Sequence, residues 1–581
     1  MSAQSLEPAM VCHLREIYDD AVAERLARDI RSLAERFRGT LETPASLGRL
    51  DHRDVLLITY ADTLLESGSP PLEVLHRFYH EHLRGIFTLV HLLPFHPYSS
   101  DDGFSVIDYY RVRDDLGGWE NITALAAECR IMADAVINHM SSESVWFREF
   151  LAGNADYSAF FFEGSPKDDL SAVVRPRTSP LLTRFSDVNG KERHVWTTFS
   201  ADQVDLNFRN PKVLLAIIEV LFFLISKGAR LLRLDAVTFL WKTPGTSCAN
   251  LRETHLLIKV MRAAVLMLRD DVVVITETNV PHRENIAYFG DGHDEAHMVY
   301  NFALPPLLAH SFITGDSRRL RHWVSTLSLP SNEVCFLNFS ASHDGVGVRP
   351  VEEILDSNKI QDLVKAAEAT GGRVSSRTLG DGQEHPYELN CTFLDLISAA
   401  DDDVETLAQR FVASQAIVLA MPGVPAIYIQ SLLGTRNDLE RVRQTGRARS
   451  INRSKHDYGT ITARLRQKEG LEGRVFDRLT GLIKIRQAQA AFDPHAGFEV
   501  LDAGDDVFAI VRGDLANLAN SAESTVCCIV SLVNRPATVT VSRRYAGINL
   551  LDGKPFAAGQ HTLGPYQILW LKPQPSTPET T

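Results

Sequence analysis

The sequence predicts an α/β protein built on a parallel (β/α)8 TIM barrel, with an inserted subdomain after strand 3, an N-terminal helical extension and a C-terminal antiparallel β domain. Three observations predict it. Eight short, apolar, β-prone runs recur between residues 54 and 429, spaced widely enough for crossover helices. Several of these runs end in polar residues, and although eight runs also fit an open sheet, a barrel gathers such ends around one pocket. After about residue 495 the rhythm changes to alternating Val, Ile and Thr with turn signals.

The elements follow in order. Residues 9–38 hold no Pro or Gly and carry Leu14, Ile17, Tyr18, Val22, Leu26, Ile30 and Leu33 at helical spacing among charges, so residues 1–50 read as a helical extension of one or two amphipathic helices. The barrel occupies residues 51–140 and 208–490, with strands in DVLLITY, GIFTLVHLLPF, RIMADAVINH, GARLLRLDAV, DVVVITE, AHMVYNFAL, VCFLNFSASHD and GVPAIYI. Residues 141–207, with RPRTSP and the aromatic stretch DYSAFFFEG, form the inserted subdomain. Residues 491–575 hold VFAIVRGD, STVCCIVSLVNR, ATVTVS and YQILWLKP, as expected of antiparallel strands, and PQPSTPETT reads as a frayed tail.

Composition sets the broad class. The 581 residues, 45% hydrophobic and 23% charged, describe an ordinary globular chain of three to four average domain lengths. A formal net charge of −13 argues against nucleic acid and anionic membrane surfaces as partners. The most apolar stretch, residues 214–225, is interrupted by Glu219 and falls short of the roughly 20 residues of a membrane span, so it reads as a buried helix. The N-terminus lacks a basic region followed by an apolar one, and the seven cysteines show no C-x-x-C spacing, so the expectation is a cytoplasmic protein with buried free thiols. His76, His80 and His82 share a predicted helix without an acidic partner or an H-E-x-x-H pattern, so no metal is expected there.

The chemistry lies at strand ends. Retaining cleavage of an acetal needs one carboxylic acid to protonate the leaving oxygen and one carboxylate to meet the oxocarbenium-like carbon, about 5 to 5.5 Å apart. Asp235 follows Arg233 at strand alternation in RLLRLDAV, so both face one way and the permanent cation keeps the carboxylate ionised, as a nucleophile requires. Glu277 ends the following strand, where partial burial and the neighbouring negative charge raise its pKa towards that of a useful acid. Taken singly, each carboxylate has a commoner explanation as a solvated loop acid or a structural ion pair. Their joint pattern is what carries weight.

That pattern resembles glycoside hydrolase family 13, the α-amylase family, whose four motifs stand here in order as DAVINH, RLLRLDAV, ITETN and SASHDG. The resemblance implies Asp134, Asn138 and His139 in the first motif and Arg233 with nucleophile Asp235 in the second. It implies acid/base Glu277 in the third, and His343 with transition-state-stabilising Asp344 in the fourth. All these residues are present, against a catalytically dead, amylase-like interaction protein. Over most of residues 55–455 the chain is also similar to the sucrose phosphorylase branch, through LITYAD, HLLPFHPYSSDDGFSVIDYY, RPRTSP, YNFALPPLL, SHDGVGVRP, PYELNCT and TGRARSINR.

By that likeness Asp101 and Arg453 grip the far hydroxyls of a glucosyl group, with Phe104 and Phe239 stacked beside it. Phosphorolysis needs a cation on the leaving-group side, and Arg suits oxyanions because its planar fork binds them bidentately. Arg177 is the best-matched candidate, with Arg175, Arg447 and Arg449 in the same two loops. The implied mechanism is double displacement through a glucosyl-enzyme, without a cofactor. The partners expected are a small-molecule glucoside and inorganic phosphate, with a homodimer left open.

Three features depart from sucrose phosphorylases: the helical extension, Glu388 in PYELN where those enzymes tend to carry Gln, and the arginine-rich RVRQTGRARSINR. Together they resemble the glucosylglycerate phosphorylases of the branch, whose leaving group is a small carboxylate. Sucrose, sucrose 6-phosphate and glucosylglycerol phosphorylases share most of the motifs, and an α-glucosidase or transglucosylase of the family stands beyond them.

Overall fold

The computed structural model describes residues 3–41, 49–378, 384–515 and 524–574. Eight strands, β1 (Leu56–Thr59), β2 (Leu89–Leu92), β3 (Arg130–Val136), β4 (Ala229–Asp235), β5 (Val273–Thr276), β6 (Met298–Tyr300), β7 (Cys335–Phe339) and β8 (Val424–Tyr428), close into a barrel in chain order. Every pairing is parallel. Each of the eight predicted runs contains one of these strands. The runs are almost continuously apolar because side chains inside the barrel pack on each other while those outside pack on helices.

Register sets the first part of the site. Asp134 of β3 lies opposite Arg233 of β4, and Val136 lies opposite Asp235, so the acid and the cation meet side by side at the barrel top. Between β3 and β4, His139–Ser141 pairs antiparallel with Gln203–Asp205, and Leu182–Ser186 forms a hairpin with Glu192–Trp196. Phe162, Val173, Leu181 and Trp196 from this region enclose Cys248, which lies beyond β4, so the segment is anchored to the loop that follows Asp235.

At the N-terminus, α1 (Ala3–Arg15) and α2 (Asp20–Arg38) pack on two outer barrel helices, α3 (Pro211–Ser226) and α4 (Arg252–Leu268). Asp19 caps α2 by accepting from the Val22 amide at 2.9 Å. Ala23, Leu26, Ala27, Ile30, Leu33 and Ala34 then join the main core. This explains the unusually apolar α3, which α2 covers on the side that would otherwise meet water. The Tyr18 hydroxyl donates to the Phe208 carbonyl at 2.6 Å, tying the extension to the chain that leaves the inserted region.

The C-terminal part forms a six-stranded antiparallel sheet with a separate two-stranded pair. Buried Arg512 donates to the Ala420 and Met421 carbonyls, at 3.0 and 2.6 Å, and so fastens the sheet to the barrel. Residues 575–581 of the predicted tail lie outside the described residues. All seven cysteines are free, and Cys12 is exposed rather than buried because α1 turns it outward. No helix among the described residues is long and apolar enough to cross a membrane. His76 and His80 do have an acidic partner, Glu128, with contacts of 2.9 and 3.0 Å, brought in from a different segment.

Candidate active site

The C-terminal ends of β4, β5 and β7 bring Asp235, Glu277 and Asp344 to one cavity, whose space, mouth included, is about 960 Å³. Asp235 is the last residue of β4, and Glu277 directly follows β5. Ala236, next after Asp235, adopts the left-handed conformation with φ 52°, a strained choice for a residue with a Cβ. Its N–H thereby donates to Glu277 Oε2 at 3.1 Å and ties the two strand ends together.

Arg233 Nη1 donates to Asp235 Oδ1 at 2.8 Å and also to Asp134 Oδ1. His91 Nε2 lies 2.8 Å from the other oxygen of Asp134. Burial disfavours ionisation of Asp134, yet Arg233 and His91 outweigh it and hold that carboxyl down at about 2. Burial raises both Asp235 and Glu277 above the usual carboxylate range, and as close acids they titrate together. Contacts decide where a single proton rests. Asp235 accepts from a guanidinium, whereas Glu277 accepts from one backbone N–H, so the proton sits on Glu277 and the charge on Asp235.

Burial also works against the charge on Asp344, but Arg449, Arg453, Arg233 and Arg177 together hold its carboxyl below the ordinary range. Arg449 Nη1 lies 2.6 Å from Asp344 Oδ1. Burial pushes His139 and His343 down, so both imidazoles are neutral near pH 7. His343 stacks on Phe104 with ring centroids 4.8 Å apart and planes 5° apart.

The remaining predicted residues divide. Asp101, Phe104, His139, Phe239, His343, Glu388, Arg177 and Arg449 all line the cavity. Arg453 stands behind the wall, where Nη1 meets Asp102 Oδ2 at 2.6 Å and Nε donates to the His343 carbonyl at 2.8 Å. The cause is a tight turn: Asp101 and Asp102 both have positive φ, 54° and 49°, which splits the neighbouring carboxylates between the cavity and Arg453. Gly103 completes that turn at φ 113°, where a Cβ would fall 2.7 Å from Pro94.

Arg449 is fully engaged. Besides Asp344 it binds Glu388 bidentately, Nε to Oε1 at 2.9 Å and Nη2 to Oε2 at 2.6 Å. Arg447 pairs with Asp102 at 3.2 Å, and Arg175 donates to the Thr178 and Ser179 carbonyls. Neither lines the cavity. Arg177 lies between the rings of Phe199 and Tyr387, 5.9 and 5.5 Å from their centroids, and among the described residues its side chain donates only to the Pro176 carbonyl, at 3.3 Å. Among the described residues it pairs with no carboxylate. Sequence reading missed Phe199, Gln203, Asn279, Arg349 and Tyr387 in the wall. Gln203 was findable only through its strand's pairing with His139, whereas Arg349 and Tyr387 stood inside or beside motifs already singled out.

Residues 83–329 match the family model described as Alpha amylase, catalytic domain. The sequence is 43% identical to glucosylglycerate phosphorylase of Escherichia coli, over 90% of this chain and 92% of that one. It is 41% identical to glucosylglycerate phosphorylase of Spirochaeta thermophila, over 98% and 99%. Among solved structures it is similar to sucrose 6F-phosphate phosphorylase from Thermoanaerobacter thermosaccharolyticum, with a TM-score of 0.71, 25% identity and coverage of 84% of this chain and 96% of that chain.

Proposed function

This chain belongs to the α-amylase family, glycoside hydrolase family 13, within its sucrose phosphorylase-like branch, and from that premise we propose that it is a retaining glycoside phosphorylase acting on 2-O-α-D-glucosyl-D-glycerate. It converts that glucoside and inorganic phosphate reversibly to α-D-glucose 1-phosphate and D-glycerate. The observation that carries the reading is Arg177, a cation without a carboxylate partner among the described residues, in the same cavity as Asp235 and Glu277. A hydrolase needs no such charge where the incoming group is water; an oxyanion acceptor does.

In this mechanism Asp235 attacks the anomeric carbon while Glu277 gives its proton to the departing glycerate oxygen, and a covalent glucosyl-enzyme results. Phosphate, drawn in by Arg177, then attacks the anomeric carbon from the vacated side and breaks its bond to Asp235, which leaves as a free carboxylate, while the phosphate proton passes to Glu277. Asp344, kept ionised by its arginines, stabilises the positive charge that develops on the sugar. Asp101 and His139 take up glucosyl hydroxyls, Phe104 and Phe239 flank the ring, and Arg453 acts at one remove by fixing the His343 segment. Arg449 holds Glu388 and Asp344 in place at the acceptor end. The seven unpaired cysteines support a reducing, cytoplasmic setting.

Incubating the protein with α-glucose 1-phosphate and, separately, glycerate, glycerol, fructose or fructose 6-phosphate tests the reading through the rate of phosphate release. Glycerate is expected to be the fastest acceptor. Release that no acceptor accelerates, with free glucose as the sole product, overturns it.

A further inference from the structure

We infer that Arg349 is the second cationic arm of the acceptor subsite and that, with Arg177, it binds the oxyanion common to the two co-substrates: the carboxylate of a small acidic acceptor and inorganic phosphate. The inference rests on the phosphorylase reading above and extends it to a residue outside the four motifs' acids and the predicted phosphate loop.

Arg349 opens a short helical turn, Arg349–Val351, five residues beyond Asp344. Its side chain lines the same cavity as Asp235 and Glu277, yet the residue is only 8% exposed. Among the described residues its guanidinium has neither an ion pair nor a hydrogen bond. The two acids nearest in effect are committed elsewhere: Glu352 pairs with Arg377 at 2.7 Å, and Glu284 accepts from Asn250 Nδ2 at 2.6 Å.

The other buried arginines show how unusual this is. Arg233, Arg410 and Arg453 each meet a carboxylate. Arg262, Arg486 and Arg512 donate to backbone carbonyls, among them those of Glu295 at 2.8 Å, Leu419 at 3.0 Å and Ala420 at 3.0 Å. A guanidinium cannot shed its charge, and burying it without a counter-charge is strongly unfavourable, so a ligand that enters the cavity carrying an oxyanion relieves that cost. Arg177 lies 5.5 Å from the Tyr387 ring, and the amide of Val348, next to Arg349, donates to the Tyr387 carbonyl at 3.1 Å, so both arginines adjoin Tyr387 in the cavity wall. Their planar forks match either a carboxylate or a phosphate edge. A neutral acceptor leaves Arg349 buried and unmatched.

The test loads the glucosyl-enzyme from α-glucosyl fluoride, so that no phosphate is present as leaving group, and measures partition among glycerate, phosphate and glycerol in wild type, Arg349→Gln and Arg349→Lys. In Arg349→Gln, transfer to glycerate and to phosphate is expected to fall by about tenfold or more relative to glycerol. A ratio equal to that of wild type overturns the inference, and a loss confined to one anion overturns the shared site. Arg349→Lys keeps the charge but not the fork, so should the Gln variant not fold, an anion preference reduced about threefold or more supports the inference and an unchanged one overturns it. A wild type that passes glucose to water alone overturns the phosphorylase reading and the inference together. A wild type that uses both anions, beside variants with unchanged ratios, overturns the inference only.

Discussion

Replacing Glu277 with Gln isolates the proton from everything else that residue does. The amide oxygen of Gln can still accept the Ala236 N–H that Glu277 Oε2 now accepts at 3.1 Å, and the contact of Arg233 with Asp235 at 2.8 Å is untouched. The variant therefore keeps the nucleophile and its geometry and loses only the acid. General acid catalysis contributes roughly 10²- to 10⁴-fold, or about 3 to 5 kcal/mol of barrier. Cleavage of the glucoside of glycerate, whose oxygen must be protonated as it departs, is expected to fall by that factor. Release of fluoride from α-glucosyl fluoride in the presence of phosphate needs neither proton donation to the leaving group nor much help for the nucleophile, so it should stay within about tenfold of wild type. The pH profile gives a second readout. Activity rises as Asp235 ionises and falls at higher pH as Glu277 loses its proton, a limb that burial of Glu277 moves upward from the ordinary carboxylate range. In Glu277→Gln the alkaline limb should vanish while the acid limb, set by Asp235 beside an uncharged neighbour, stays. Equal losses with both donors, or an alkaline limb that survives, would refute the assignment of the proton to Glu277.

Two further substitutions probe the charges around that pair. Arg177→Ala removes a cation that faces the cavity without a carboxylate partner among the described residues, so kcat/KM for phosphate should drop by about 10- to 100-fold, equivalent to about 1.5 to 3 kcal/mol of charge-assisted hydrogen bonding, with a much smaller effect on hydrolysis. Chromatographic comparison of glucose 1-phosphate with free glucose reads the ratio, and equal loss of both products counts against a phosphate role. Asp134→Asn leaves Arg233 buried with one carboxylate instead of two, and calorimetry should show a destabilisation of about 2 kcal/mol at neutral pH. Because the folded-state pKa of Asp134 is depressed from 3.8 to about 2, its contribution of about 2 kcal/mol is present above pH 4 and lost as pH falls towards 2, so the loss of stability with acid should be shallower in Asp134→Asn.

The barrel was legible because each strand is a nearly unbroken apolar run, and such runs survive in sequence whatever their neighbours. Asp235 and Glu277 were legible for the same reason, as the polar residues that stop those runs. Partnerships between distant segments were not. Nothing local in His76 and His80 announces Glu128, about fifty positions on, and nothing in DDGF says that the first Asp turns to the cavity and the second to Arg453. The division follows from backbone dihedrals at Asp101 and Asp102 that residue types alone do not specify.

The arginine-rich loop shows the consequence for function. From sequence, TGRARSINR looks like the place where an acidic aglycone is recognised. In the fold Arg447 and Arg453 are matched by Asp102, and Arg449 by Asp344 and Glu388, so three cations meet three carboxylates and the loop presents little net charge to a ligand. Its arginines hold the acids of the site in place. Charge available to an incoming anion falls instead to Arg177 in RPRTSP and Arg349 in GVGVRP, which no carboxylate among the described residues meets. For an acidic protein that handles an anionic co-substrate, the relevant quantity is the number of buried cations left over after internal pairing, and that number depends on tertiary contacts rather than on the count of basic residues in any loop.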